Sequence, residues 1–389
     1  MPSFTLTDVA HDLWIDACSI GPAELGLPAV PAWSIAKRTL RGGRRDGVDL
    51  IQVYNGALAF SVIPTRGMGL WKGQYLGDPI GWRSPITDGP VHPAHVDLAG
   101  LGGLGWLGGF DEWLVRCGLE HNGPPYQEGS ISYPLHGRIA NIPAHFVAVH
   151  IEETPPYAIT IEGHVTETRL FGPRLRMVAR LMTTPGSHRL VVRDEFTNLS
   201  DTPGELQILY HWNFGPPHLE EGARVVAPAN EVAPISPRAA EGIGHYDVYG
   251  PPEPGYAEQV YLYQLHGDGP DGRTLAMLRN RPGDKAVVLR FASKQLPCFT
   301  VWKNTAGLAD GYVTGLEPAT NYPNPRPFEK SQGRVVRLDP GQTYSAETVF
   351  EALAGAQAVA DVEAEIQALQ GRGAPMVHPR PVGPFTTEK

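Results

Sequence analysis

Three short segments carry side chains suited to proton transfer, at spacings that strand geometry can gather. In ELQILYHWNFGPP (205–217) a period of two puts Gln207, Leu209, His211 and Asn213 on one strand face, so His211 and Asn213 point together beside Trp212 at the strand's end. In GYVTGLEPATNYPNP (311–325) Val313, Gly315 and Glu317 share a face, and Pro318 biases Glu317 toward an extended conformation. A carboxylate that ends an apolar strand loses water, which raises its pKa toward that of a useful general base. In SYPLHGRIANIPA (132–144) His136 precedes Gly137, a residue that lets backbone or ligand come close. Each segment on its own also reads as a structural turn or strand end.

Other candidates weigh differently. Arg66, in IPTRGMGL (63–70), follows an alternating strand, and Gly67 frees the backbone to turn. Its guanidinium either caps carbonyls at a corner or holds two vicinal hydroxyls or an anionic group in its planar fork. HPAHVD (92–97) brings His92, His95 and Asp97 together, but in a Pro-rich loop this reads as hydrogen bonding rather than a metal pair. GLGGLG (100–105) opens no helix after a strand, so it is no phosphate cradle, and no nucleophile elbow is present.

These residues must be positioned by strands. Gly (45) and Pro (38) make up about 21% of the 389 residues, roughly twice the ordinary ~12%, which leaves little room for long helices. From about residue 48 to 353 short period-2 runs alternate with turn residues. Ile159, Ile161 and Val165 oppose Thr160, Glu162 and His164, and Leu175, Met177 and Leu181 alternate with Arg174, Arg176 and Arg180. Further strands are read near 49–54, 58–64, 144–153, 190–197, 204–214, 259–267, 274–280, 285–292, 298–304, 310–318, 334–339 and 343–353. Without helical periods between them, the pattern predicts an all-β fold, a large antiparallel β-sandwich. It is read as one domain over 1–353, with the first ~45 residues as an extension. Residues 355–370 predict a C-terminal helix bearing Val359, Val362, Ile366 and Leu369, followed by a Pro-rich, extended or disordered tail. The Gly-, Pro- and His-rich stretch 83–130 reads as a long functional loop or lid.

Composition sets the partners. A net charge of −9 argues against nucleic acid or an anionic membrane surface, which need a basic face. No apolar run approaches the ~20 residues of a membrane span. MPSFTLTDVAHDLWIDACSI shows neither a basic n-region nor an apolar h-region, so no signal peptide is read. Three widely spaced cysteines, Cys18, Cys117 and Cys298, fit reduced thiols in a cytoplasm.

Taken in order, the motifs resemble the aldose 1-epimerase (galactose mutarotase-like) superfamily, in an uncharacterised branch of it. Leu135-His136-Gly137 is similar to the family's LHGG-type turn, with Arg138 in place of the second glycine. His211-Trp212-Asn213-Phe214 resembles its HxYFN-type strand end, and Glu258-Gln259-Val260-Tyr261-Leu262 its acidic residue before an aromatic–aliphatic run. Pro297 to Trp302 resembles the PGxQxYT-type strand, Leu316-Glu317-Pro318 through Asn321 the LETQxxPDAxN segment, and Leu338 to Tyr344 the family's end. IPTRGMGL and CGLEHNG (117–123) look characteristic of the less studied branch. The resemblance spans roughly 45–353, and Arg138, Glu258 and Pro318 depart from it in ways that suggest a sugar other than galactose.

The resemblance implies a carbohydrate-active isomerase that interconverts sugar anomers. Opening and reclosing a hemiacetal ring needs a base at the anomeric hydroxyl and an acid at the ring oxygen. It implies Glu317 as base and His211 as acid, with His136 assisting at the ring oxygen or a neighbouring hydroxyl. Arg66, Glu258 and Asn213 would orient hydroxyls, Arg138 would join them, and Trp302 or Trp212 would cover the apolar face of the ring. The partner is a small-molecule sugar, and the chemistry needs neither metal nor organic cofactor. Two other readings stand beside it: a non-catalytic carbohydrate-binding or regulatory protein, and another sugar isomerase, lyase or hydrolase on the same fold.

Overall fold

The computed structural model describes residues 2–27, 31–371 and 373–387. Among them the strands form two large sheets of ten and fourteen strands and one two-stranded hairpin, packed as the expected sandwich. The alternating residues of 159–198 become three ten-residue antiparallel strands, Ile159–Thr168, Arg174–Thr183 and Arg189–Asn198. Their inward members, Ile161, Val165, Leu175, Met177, Leu181, Leu190, Val192 and Phe196, are buried against the second sheet. Period two thus divides each strand into a core face and a solvent face, and burying each such side chain contributes about 1.5–3 kcal/mol.

The fourteen-stranded sheet carries the site. At its centre lie, in order, Gln259–Leu265, Cys298–Asn304, Val313–Ala319, Gly204–Phe214 and Leu114–Leu119. Ile208, Tyr210, Trp212 and Phe214 turn into the inter-sheet core, where Trp212 stacks on Phe350 of the other sheet at 5.7 Å. Trp212 therefore cannot cover a sugar ring: strand alternation points it away from His211. Arg116 crosses the same core to Asp194, Nε donating at 2.6 Å and Nη2 at 2.9 Å.

Three regions differ from the sequence reading. The stretch 83–130 is not all loop, because Leu114–Leu119 is a central strand whose six residues are all buried. Burial on both faces removes the alternation by which a strand is recognised. The N-terminal residues form strands in both sheets, Ser3–Asp8 beside Phe146–Ile151 and Ser34–Thr39 beside Asp49–Tyr54. The tail packs as well: Phe385 and Val382 lie in a cluster with Leu262, Cys298 and Tyr322. The C-terminal helix runs Ala356–Gln370, and Val359, Val362 and Ile366 seat it on Leu275, Met277 and Val288. No helix among the described residues is long and apolar enough to cross a membrane.

Candidate active site

On the face of the large sheet away from the core, His211 and Glu317 meet across adjacent strands, Nε2 to Oε1 at 3.2 Å. Trp212 pairs with Leu316 and Asn213 with Gly315, and the same register sets residues 211 and 317 directly opposite each other on one face. Gly315 makes the contact possible, since a Cβ there would sit 2.4 Å from Glu317 Oε1 and 3.0 Å from His211 Cε1. His211 keeps 4% and Glu317 2% of its exposure. Thr300, opposite Glu317 in the next strand, has a buried hydroxyl without a hydrogen-bond partner among the described residues.

Aromatic rings enclose the couple. Phe110, His136 and Trp302 stand around the His211 ring at centroid distances of 5.2, 5.6 and 5.4 Å. Trp106 packs on His136 at 4.7 Å and on Phe110 at 4.7 Å. Trp106 and Phe110 both come from the Gly-rich segment, which lays them inward while Leu101, Leu104 and Leu107 stay exposed. Trp302 is half-buried, and its indole nitrogen donates to the exposed Glu258 carboxylate at 2.6 Å. Glu258 precedes the strand that pairs with the Trp302 strand, which brings acid and indole together at the rim.

His136 sits in a left-handed turn at φ 57°, followed by Gly137 at φ 73°. A Cβ on Gly137 would lie 2.1 Å from His121 O and 2.3 Å from Gly118 O, so this position demands glycine. His136 Nδ1 is 3.0 Å from Asn122 O and donates to it, which leaves Nε2 as the ring's acceptor. Asn122 is fixed in turn by a reciprocal amide pair with Asn321, at 3.0 and 2.8 Å.

Behind His211 stands a chain of buried polar groups. Asn213 Oδ1 is 2.6 Å from His211 Nδ1, while Asn213 Nδ2 donates to Glu112 O at 3.0 Å and to His211 O at 3.1 Å. The Glu112 carboxylate receives Arg66 Nε at 2.6 Å, and Trp82 Nε1 also donates to Glu112 O at 2.9 Å. Arg66 Nη1 donates to Val91 O and Asn141 Oδ1.

Arg66 and Asn213, expected to orient sugar hydroxyls, are bonded to protein groups and turned away from solvent, with Arg66 Nη2 buried and unpartnered among the described residues. Arg138 is not brought to the couple either: it is exposed, and its charge is felt by the buried Glu167 of the other sheet. The structure does gather His136, His211, Glu317, Trp302 and Glu258. Sequence reasoning missed Glu112, Trp106 and Phe110, although aromatics four apart in a Gly-rich stretch followed by an Asp-Glu pair were the available signal.

Burial sets the electrostatics. It pushes the Glu317 carboxyl well above the usual carboxylate range, with the Glu258 charge adding to the effect. It pushes His211 well below the usual imidazole value, His136 contributing and the Asn213 hydrogen bond opposing. Burial also takes His136 down to about 4. Beside Glu112, Asp111 is raised to about 7, chiefly by burial and then by the Glu112 charge. Among the described residues no cluster of His, Cys, Asp and Glu has the geometry to hold a metal ion.

The fold is that of the galactose mutarotase-like proteins. A solved structure from Klebsiella pneumoniae subsp. pneumoniae MGH 78578, described as a proposed aldose 1-epimerase, superposes with a TM-score of 0.95 at 35% identity, covering 98% of this chain and 99% of that one. A galactose mutarotase-like protein from Clostridium acetobutylicum gives a TM-score of 0.56 at 16% identity, over 82% of this chain and 98% of that one. Galactose 1-epimerase from Lactobacillus acidophilus NCFM gives 0.54 at 13%, over 82% and 99%. Within that fold class the chain belongs to the family described as Domain of unknown function (DUF4432), whose model matches residues 45–352. No curated protein matches the chain.

Proposed function

We propose that this protein is an aldose 1-epimerase acting on a neutral sugar. The observation that carries the reading is the His211–Glu317 contact at 3.2 Å, a buried acid–base couple under a half-exposed indole. Mutarotation requires one proton to leave the anomeric hydroxyl and another to reach the ring oxygen, and two groups of this kind supply both transfers, each contributing about 10²–10⁴-fold. Trp302 offers a face for the apolar side of the ring, and Glu258 beside it accepts from hydroxyls. His136 presents its Nε2 lone pair near the couple. A neutral sugar is favoured because the exposed Glu258 carboxylate, held beside the indole at the rim, repels an anionic substituent.

Saturation-transfer NMR between α and β anomers, across a panel of aldoses and uronic acids, tests the reading. Faster exchange of a neutral aldose than in buffer alone is the expected result. Binding without exchange would favour the carbohydrate-binding alternative, and a new product would favour another sugar isomerase or lyase.

A further inference from the structure

The partners of the couple also determine where its proton rests. His211 can donate from Nδ1 or from Nε2, and the Asn213 amide decides between them. The orientation of that amide is set independently of the imidazole, because Nδ2 is held by two carbonyls, Glu112 O and His211 O. Its Oδ1 is therefore what faces His211 Nδ1 at 2.6 Å, and an amide oxygen accepts only. Nδ1 must carry the hydrogen, and the Nε2 lone pair is left toward Glu317.

The partner of Nδ1 is a neutral amide rather than a carboxylate, so an imidazolium would gain one hydrogen bond there but no countercharge. The ring's remaining neighbours are the aromatic Phe110 and Trp302 and the neutral His136, itself committed through Nδ1 to Asn122 O. On the other side, Glu317 Oε1 is buried and receives no hydrogen bond from any described residue. A buried carboxylate oxygen with no donor disfavours the ionised form of that group. The charged and titratable groups acting on the pair are Glu258 and His136, with buried Cys117 also sensing Glu317.

From this geometry we infer that the resting couple is neutral, with its single mobile proton on Glu317, and that Asn213 is the positioning residue that keeps the His211 lone pair at Nε2. The inference rests on the epimerase reading and inverts the roles that family resemblance implies. The anomeric hydroxyl proton passes to His211 Nε2, the bond from C1 to the ring oxygen breaks, and the ring oxygen takes the Glu317 carboxyl proton. The open-chain aldehyde then lies beside an imidazolium and a carboxylate. Closure on the opposite face of C1 returns both protons and restores the neutral couple. Burial acts in the same direction, raising Glu317 and lowering His211.

The test is made on the sugar-free protein, so its outcome is independent of whether anomers exchange. In 15N-histidine NMR between about pH 6 and 8, the window in which an unperturbed imidazole changes charge, the His211 signals should show Nδ1 protonated and Nε2 bare. Infrared difference spectra should show a protonated carboxyl band in the wild type that Glu317→Gln removes. Two protonated ring nitrogens, or absence of that band, would overturn the proton assignment. Asn213→Leu should move the hydrogen to Nε2 and lower anomer exchange about 10²-fold or more. An unchanged tautomer in that variant would overturn the role given to Asn213.

Discussion

Arg66 and Glu112 are joined at 2.6 Å with neither side chain exposed, and the backbone carbonyl of the same Glu112 receives the amide that faces His211. An ion pair at a sandwich corner is thereby linked, through one peptide unit and one amide, to the imidazole. The guanidinium leaves the turn after the Leu58–Ile63 strand and passes beneath Gly109, where a Cβ would lie 2.9 Å from Nη1. The aromatic segment above it can come down this closely only because residue 109 has no side chain.

Arg66→Lys keeps the charge and loses the fork. It should sacrifice at least one charged hydrogen bond among those to Glu112, Val91 and Asn141, a cost of about 1–3 kcal/mol. The expected outcome is a lower melting temperature together with slower anomer exchange and nearly unchanged sugar affinity. Calorimetry and titration with the sugar measure these separately. A wild-type melting temperature with tenfold weaker sugar binding would instead return Arg66 to the substrate.

Glu317→Gln is isosteric but can neither hold nor release the mobile proton, so exchange should fall by at least about 10²-fold while the fold is retained. His211→Asn should fall by a similar factor. Because the two groups act in one transition state, the double variant should lose little more than either single one. Losses that multiply would show that the two side chains do not act together, and near wild-type exchange in Glu317→Gln would remove the carboxyl from the reaction.

Gly315 is the residue whose missing side chain lets His211 and Glu317 touch. Gly315→Ala puts a methyl 2.4 Å from Glu317 Oε1, so the carboxyl must swing away. Displacements near 1 Å cost about 10² in rate when they affect reacting groups. The overpacking itself should cost about 1–3 kcal/mol. Exchange measured by NMR should therefore drop far more than the loss of stability accounts for. Full activity in this variant would mean that the observed contact is dispensable.

The strands of the sandwich were legible because their two faces differ: wherever one face is core and the other solvent, as over 159–198, alternation marks the boundaries. That same alternation put His211 beside Asn213 and Glu317 above Gly315. It failed at Leu114–Leu119, where both faces are buried and the code is silent. Type and spacing do not reveal commitments made across the fold. The Asn122–Asn321 amide pair joins residues 199 positions apart, and Arg66 finds Glu112 from 46 positions away. A polar residue beside a site therefore looked like a substrate ligand until its donors could be followed to their acceptors. Glu112 was invisible because its role runs through its backbone carbonyl as much as its carboxylate.

The last prediction concerns Asp111, which ends the Gly-rich segment. One of its oxygens accepts from Trp71 Nε1 at 3.0 Å, the other is buried without a partner among the described residues, and its backbone N–H donates to Glu112 Oε2 at 3.1 Å. Burial and the Glu112 charge raise its pKa from 3.8 to about 7, against the opposing pull of Arg66. Between about pH 4 and pH 7 the folded protein holds a proton here that the unfolded chain has already released. The contribution of this group to stability is therefore complete below that window and declines as the pH rises through it. Asp111→Asn cannot ionise, and its carbonyl oxygen can still accept from Trp71. The variant should gain stability relative to wild type as the pH rises from about 4 to 8, read as the difference between the two melting temperatures at each pH. Its benefit should be largest in the alkaline part of the range, where wild type buries a charge next to Glu112. A difference that stays flat with pH would show that Asp111 titrates no differently in the folded protein than in the unfolded chain.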